Sequence, residues 1–321
     1  MAQIIKVGFC AFGKDFNYKD FLPIKLLSDK YDFQLSDNPD YLFYTPADNT
    51  HHNFDCVRIF WTGENIIPNF NYCDYAIGFQ ELSFDDRYMR LPLWVTYKNA
   101  LNAALNRQNI TTKEDALNRH FCATVISNAK QTDGVREKIF EILSSYKPVA
   151  SGGKWKNSVG GPVPDKIDFQ KNYKFCLCAE NTYAPGYTTE KILEAFASGC
   201  IPIYYGDPLV VKDFNPKAFI NAHDFKSMDD LLQRVKEIDT NDELYWQILQ
   251  ESPFLPNTLE KYSDEKIAEF FDHIFSQTPS DAKRRFYFKP YQDFDYRHLK
   301  VRDIKLVLKH FLLNRFKRKS S

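Results

Sequence analysis

The stretch YKFCLCAENTYAPGYTTEKILEAFASGCIPIYYGDP, residues 173–208, decides the fold. Its apolar run Lys174–Ala179 reads as a buried strand that ends at Glu180-Asn181. A loop with Pro185 and Gly186 follows. Thr188 or Thr189 can cap a helix over Thr189–Ser198, and Gly199 suits the position just past its end. A second buried strand, Ile201–Tyr205, ends at Gly206. Strand, helix and strand with both strands apolar throughout predict a parallel sheet covered on both faces. Cys176 and Cys178, two apart in a strand, face the same side. Tyr187, Glu190 and Lys191 then lie beyond the carboxyl end of a parallel strand, where open α/β sheets bind ligands. The N–H groups and dipole of a helix start attract phosphate there. Lys191 in the first turn runs against that dipole. An anion touching both explains it, with a solvated lysine as the alternative.

Working outward, Phe121–Ile126 reads as a strand and Val135–Tyr146 as a helix. Between them Ser127-Asn128 forms a second strand-to-helix junction, with Arg136 placed to pair bidentately with a phosphate or to sit on the surface. Helices are predicted around Met228–Ile238, Glu243–Gln250 and Glu265–Phe275. The first half carries strands at Ile4–Phe12, Asp32–Leu35, Tyr41–Tyr44, Cys56–Trp61 and Tyr75–Phe79. It also carries a helix at Phe21–Tyr31 with Pro23 near its start. The polar region 97–119 has no strand signal, and the domain boundary is placed near its end. The expected organisation is a domain over 1–118, a second over 119–290 and a basic tail over 291–321, with a cleft between the two α/β domains. The strand Cys56–Trp61 leads into Thr62-Gly63-Glu64-Asn65. Glu64 would face the cleft, where Trp61 and Phe60 could raise its pKa and make it a base. A turn glutamate in water is the alternative reading, and Glu81 is the second candidate carboxylate.

At 321 residues with 44% hydrophobic content, the chain can bury two cores and is not a disordered polymer. Formal net charge is zero, so the overall field points to no nucleic-acid partner. Seven cysteines with no CxxC pair argue for reduced, buried thiols over a zinc site or disulfide framework. The beginning, MAQIIKVGFC, reads as a first strand and not as a leader, and no run approaches membrane-span length; both predict a cytoplasmic protein. The triplet Asn109-Ile110-Thr111 is read as a chance glycosylation pattern.

Three blocks of the opening stretch, Cys178-Ala-Glu-Asn-Thr182, Gly186-Tyr-Thr-Thr-Glu-Lys191 and Ile201-Pro-Ile-Tyr-Tyr-Gly-Asp-Pro208, resemble the signature of the α-1,3-fucosyltransferases of glycosyltransferase family 10. The bacterial α-1,3/4 enzymes that make Lewis-type structures are the nearest in pattern. Phe60-Trp-Thr-Gly-Glu-Asn65, Pro68-Asn-Phe-Asn71, Asp74-Tyr-Ala-Ile-Gly-Phe79 and Asp86-Arg-Tyr-Met-Arg-Leu-Pro92 are similar to the family's N-terminal domain. Arg136 and Ser151-Gly-Gly153 are similar to its first donor-domain elements. The resemblance covers about residues 5 to 275. It implies a GT-B architecture of two Rossmann-like domains facing across a cleft, and inverting transfer of fucose from GDP-fucose. Glu64 matches the family's general base, and Arg136, Asn181, Tyr187, Glu190 and Lys191 match its nucleotide-sugar site. Lys191 and Arg136 would stabilise the leaving diphosphate, so no metal or other cofactor is required for the chemistry. The acidic pairs Asp85-Asp86 and Asp229-Asp230 are read as solvated surface. Two departures stand out: the loop after Glu-Asn is often Gly- or Ser-rich but here holds Tyr183, Ala184 and Pro185, and no leucine-rich heptad array precedes the tail.

The expected acceptor is the 3-hydroxyl of GlcNAc in N-acetyllactosamine-type glycans, as in Lewis x synthesis on lipopolysaccharide or in protein glycosylation. The alternatives are α-1,4 activity, another nucleotide-sugar transferase and a non-catalytic sugar binder. In the tail, Val301, Ile304, Leu308, Phe311 and Leu312 recur at helical spacing, with Lys305, Lys309, Arg315, Lys317, Arg318 and Lys319 around them. Such a helix either lies on an anionic membrane surface, as a peripheral anchor, or packs back on the N-terminal domain.

Overall fold

The computed structural model describes residues 2–109, 111–128 and 133–285. The first half builds β1 (Gln3–Cys10), β2 (Tyr31–Leu35), β3 (Tyr41–Tyr44), β4 (Val57–Phe60), β5 (Tyr75–Gly78) and β6 (Tyr88–Arg90), all parallel in the order β2-β1-β3-β4-β5-β6. The second half builds β7 (His120–Thr124), β8 (Val149–Ser151), β9 (Tyr173–Ala179), β10 (Ile201–Tyr205) and β11 (Ile220–Asn221), also parallel, in the order β11-β10-β9-β7-β8. Helices are α1 (Leu22–Leu27), α2 (Lys98–Leu105), α3 (Lys113–Leu117), α4 (Val135–Tyr146), α5 (Lys166–Gln170), α6 (Glu190–Ala197), α7 (Met228–Thr240), α8 (Asp242–Gln250), α9 (Thr258–Lys261), α10 (Asp264–Phe275) and α11 (Pro279–Ala282).

Each sheet has a topological switch point. In the first, the chain steps from β1 outward to β2, then returns to place β3 on the other side of β1. In the second, it steps from β7 to β8 and returns to place β9 on the other side of β7. At such points the loops leaving adjacent strands diverge and open a crevice at the carboxyl edge.

Alternation along the strands sorts the core. Tyr41 and Phe43 join one apolar cluster while Leu42 and Tyr44 join another on the opposite face. In β9, Phe175, Leu177 and Ala179 pack on one face, and Cys176 and Cys178 share the other, as their spacing predicts. The largest cluster runs through both halves, from Val7 and Phe43 of the first sheet to Phe196 of α6 and Phe271 of α10. Trp94 sits at the join, its ring 5.2 Å from Phe214 and 5.4 Å from Phe254. A network of charges reinforces the join: Arg90 holds the buried Asp213 at 2.9 Å and also contacts the Tyr262 hydroxyl.

Residues 264–285 follow the second sheet in sequence but cover the first. The Phe275 ring of α10 lies 5.1 Å from Tyr41, and Tyr31 donates its hydroxyl to Asp272 at 2.8 Å. The polar region 97–119 is largely helical, as α2 and α3. The predicted helix Phe21–Tyr31 shrinks to the six residues of α1, because Tyr31 is already buried in β2. Of the acid pairs, Asp85, Asp229 and Asp230 are exposed, as expected, and Asp86 is half-buried. Asp86 contacts His273 at 2.7 Å and Arg284 at 3.2 Å, and Asp230 sits in the first turn of α7, taking a hydrogen bond from Ser227 at 2.8 Å. Among the described residues, no helix is long and apolar enough to cross a membrane. The basic stretch 300–319 lies outside the described residues.

Candidate active site

The sequence-predicted site residues follow the carboxyl ends of strands: Glu64, Asn181 and Tyr187 lie in loops, and Arg136, Glu190 and Lys191 in the first turns of α4 and α6. From the second sheet, β9 ends at Ala179 and releases Glu180 and Asn181. Glu180 is 1% exposed, so its carboxylate must be matched by donors. It accepts the Thr189 N–H at 2.7 Å, the Thr189 hydroxyl at 2.8 Å and the Lys191 ammonium at 2.8 Å. Thr189 is the N-cap of α6, but the cap acceptor is Glu180 and not the threonine's own oxygen. The anion that reconciles Lys191 with the helix dipole is therefore supplied by the protein itself. Gly199 takes φ +70° just past the helix, as expected.

A second buried carboxylate fixes the rest of the loop. Asp207, fully buried, accepts from the Gly186 N–H at 2.7 Å, the Thr188 hydroxyl at 2.7 Å and the Leu209 N–H at 2.8 Å. Two glycines make this possible. Gly186 has φ +87°, and a Cβ there would stand 2.4 Å from the Phe79 carbonyl oxygen of the first half. Gly206 has φ +145°, and a Cβ there would stand 2.5 Å from the Glu180 side chain. The 181–189 loop is thus clamped between its own sheet and the facing one.

The Lys191 side chain is 18% exposed. Burial pulls its ammonium down, but Glu180 and Glu190 outweigh it and hold it well above the usual lysine range. Burial pushes the Glu190 carboxyl up, but Lys191 and Lys166 outweigh that and hold it below the usual carboxylate range. Lys166, which sequence reasoning missed, bridges Glu190 at 3.3 Å and Glu194 at 3.2 Å. Arg136 is 1% exposed, donates to the Asn128 carbonyl at 2.9 Å and to Asn181 Oδ1 at 3.4 Å, and lies 5.4 Å from the Trp155 ring. It meets Asn181 across the β7/β9 switch point.

The first sheet contributes Glu64 from the turn after β4. Its N–H donates to the Thr62 hydroxyl at 2.9 Å. The side chain is exposed, in line with the alternative reading of a turn glutamate in water, and Phe60 points into the core with Leu42, Tyr44 and Tyr88 instead of covering it. The neighbouring Asn65 donates to the Thr182 hydroxyl at 3.2 Å, which joins the two loops. Tyr187 completes the bridge. Its ring lies 4.8 Å from Phe79 of the facing half. Burial first, then the charge of Glu180, push its phenol up, and the charge of Glu64 adds to this. Glu81 instead pairs with Arg90 at 3.4 Å and Lys212 at 3.8 Å. No group of three or more His, Cys, Asp or Glu side chains among the described residues could hold a metal ion.

This arrangement sets buried cations on one wall and an exposed carboxylate on the other, which suits departure of a charged group toward one side and loss of a proton to the other. The sequence model described as the α-(1,3)-fucosyltransferase FucT N-terminal domain matches residues 7–97, and the one described as the glycosyltransferase family 10 (fucosyltransferase) C-terminal part matches residues 116–256. The α-(1,3)-fucosyltransferase FucT of Helicobacter pylori is 37% identical over 301 residues, covering 80% of this chain and 62% of that protein. The chain therefore spans about three fifths of this curated relative's length. A crystal structure of an α1,3-fucosyltransferase is similar with a TM-score of 0.76 at 33% identity, over 86% of this chain and 91% of that one. Its counterpart with GDP-fucose gives 0.75 at 33% identity, over 86% and 92%. Two parallel sheets in a GT-B arrangement, two matched halves and this likeness make the chain a member of glycosyltransferase family 10, the fucosyltransferases.

Proposed function

We propose that the protein transfers L-fucose from GDP-fucose to the 3-hydroxyl of GlcNAc in N-acetyllactosamine-type glycans, with inversion at the fucose C1. Glu64 takes the proton from the acceptor hydroxyl as its oxygen attacks C1. The bond from C1 to the diphosphate oxygen breaks on the opposite face, and GDP leaves. Lys191 and Arg136 meet the charge that grows on the diphosphate, and being already in place they need little reorganisation to do so. Asn181 and Tyr187 hold the fucose and phosphates, and Glu190 accepts ribose hydroxyls. Bound acceptor would cover the exposed Glu64, and that desolvation would strengthen it as a base.

The observation that carries this reading is the Asn65–Thr182 hydrogen bond, which ties the turn of Glu64 to the loop that runs from Asn181 to the start of α6. The test is Glu64→Gln with GDP-fucose and N-acetyllactosamine. Transfer should fall by roughly 10²–10⁴-fold, with GDP-fucose affinity unchanged in a thermal-shift titration. Stronger stabilisation by UDP-sugars than by GDP-fucose would refute the donor, and surviving transfer would refute the base. Association of the basic tail with anionic membrane belongs to the same proposal. A chain ending at Leu313 should then co-sediment less with anionic vesicles.

A further inference from the structure

A crevice opens at the carboxyl edge of the first sheet, between the segment that leaves β1 and the end of β4. It has a volume of about 450 Å³ and is lined by Phe12, Asp15, Phe16, Asp20, Trp61 and Thr96, among others. That volume lies within the range of roughly 300–1,000 Å³ typical of small-molecule sites. Nothing derived so far uses it.

Its lining differs sharply from the carboxyl edge of the second sheet. Phe12 and Phe16 are partly exposed and lie 4.4 Å apart, and Trp61 flanks them. Asp15 and Asp20 are exposed at the same mouth. Aromatic faces take the C–H face of a pyranose, and carboxylates accept its hydroxyl protons. The same carboxylates repel a diphosphate, so the crevice is unsuited to the nucleotide that the cations of the facing sheet would attract. Ala11, which turns the chain into this lining, sits in the left-handed region at φ +63°. Strain of that kind at a non-glycine residue is held by its surroundings and clusters at ligand sites.

Two of its lining residues adjoin, along the chain, residues of the candidate active site. Trp61 stands three residues before Glu64. Thr96 is followed by Tyr97, whose phenol is pushed up by burial and then by the charges of Glu190 and Glu194 on α6.

We propose that this crevice is the subsite for the neutral sugar next to the residue being fucosylated, with Asp15 and Asp20 as specificity-determining acceptors of its hydroxyls. The inference rests on the fucosyl-transfer reading above. The full chain is assayed with GDP-fucose against N-acetyllactosamine and free GlcNAc, in the wild type and in a double variant, Asp15→Asn with Asp20→Asn, and in each single variant. Both side chains are exposed, and a thermal melt checks that the fold persists. The double variant should raise KM for N-acetyllactosamine about tenfold, leave KM for GDP-fucose unchanged and collapse the preference for disaccharide over GlcNAc. A merely structural defect would weaken both acceptors alike. Normal turnover with unaltered acceptor KM, an equal loss for both acceptors, or a wild type without preference for the disaccharide overturns the subsite alone. A wild type that neither binds GDP-fucose nor transfers fucose overturns the fucosyl-transfer reading and the subsite with it.

Discussion

The carboxyl edges of the two sheets are built from different materials. The edge of the second sheet is set by buried ions: Glu180 and Asp207 are at most 1% exposed, and they pin the loop that carries Tyr187 and the first turn of α6 that carries Lys191. That of the first sheet is open, aromatic and rimmed by exposed carboxylates, with Glu64 in a surface turn. A site that stabilises developing charge profits from dipoles frozen in place before reaction. A site that reads a neutral glycan needs breadth and hydroxyl partners instead. The difference teaches that stiffness should matter most on the second sheet.

Breaking the stiff side should have the largest effect. Lys191→Ala removes the cation and strands a buried carboxylate at Glu180. It should lower kcat about 10²–10³-fold and destabilise the fold by about 3–5 kcal/mol, read by single-turnover kinetics and urea denaturation. Glu180→Gln keeps an acceptor for the Thr189 N–H but discards the charge, and should lower kcat on the order of tenfold. It should also change the pH response. Burial lowers the Lys191 ammonium while Glu180 and Glu190 raise it further, so the folded value lies above the unfolded one. The stability from this pair is complete below the ordinary lysine value and is lost as pH rises through the raised one. Without Glu180 that alkaline loss should begin at lower pH, visible in melts and rate profiles. An unchanged alkaline limb would mean Glu180 acts only as a helix cap.

At the junction between the two regions, Gly186→Ala forces φ +87° on an alanine and drives its Cβ against Phe79. A loss of about 1–2 kcal/mol in thermal unfolding is expected, with reduced kcat. The smallest effect belongs to the soft side. Asn65→Ala removes one exposed contact to Thr182 and should cost about 0.5–1.5 kcal/mol, seen as a change below about tenfold in kcat/KM.

Much of this was legible in the sequence where apolar runs were long. Tyr41–Tyr44, Val135–Tyr146 and Ile201–Tyr205 fall at the predicted bounds. Tyr88–Arg90 and Val149–Ser151 escaped notice because three residues at a sheet edge leave no periodicity to detect. In α2 only Ala100 and Ala104 are buried, so its helical face reads as polar. The positions of Arg136, Asn181, Tyr187 and Lys191 followed from strand ends and a helix start. Their partners did not, since the Arg136–Asn181 contact spans 45 residues and the Arg90–Asp213 pair spans 123. Glu180 carried a local signal, an acid nine residues before a helix start, but its role depends on a loop folding back. Of the two readings of Glu64, the solvated turn glutamate holds, because the residue lies in the turn beyond β4 while Phe60, inside the strand, packs into the core.

Asp74 lies fully buried just before β5, so it belongs to the edge where the parallel strands begin, away from the cleft. It also receives the N–H groups of Arg284 at 2.8 Å and Arg285 at 2.7 Å, together with the Arg285 guanidinium. The described chain is therefore moored at the rear of the molecule, like a boat tied by its stern. The last described residues are thus fastened at the opposite end of the first sheet from the turn that carries Glu64.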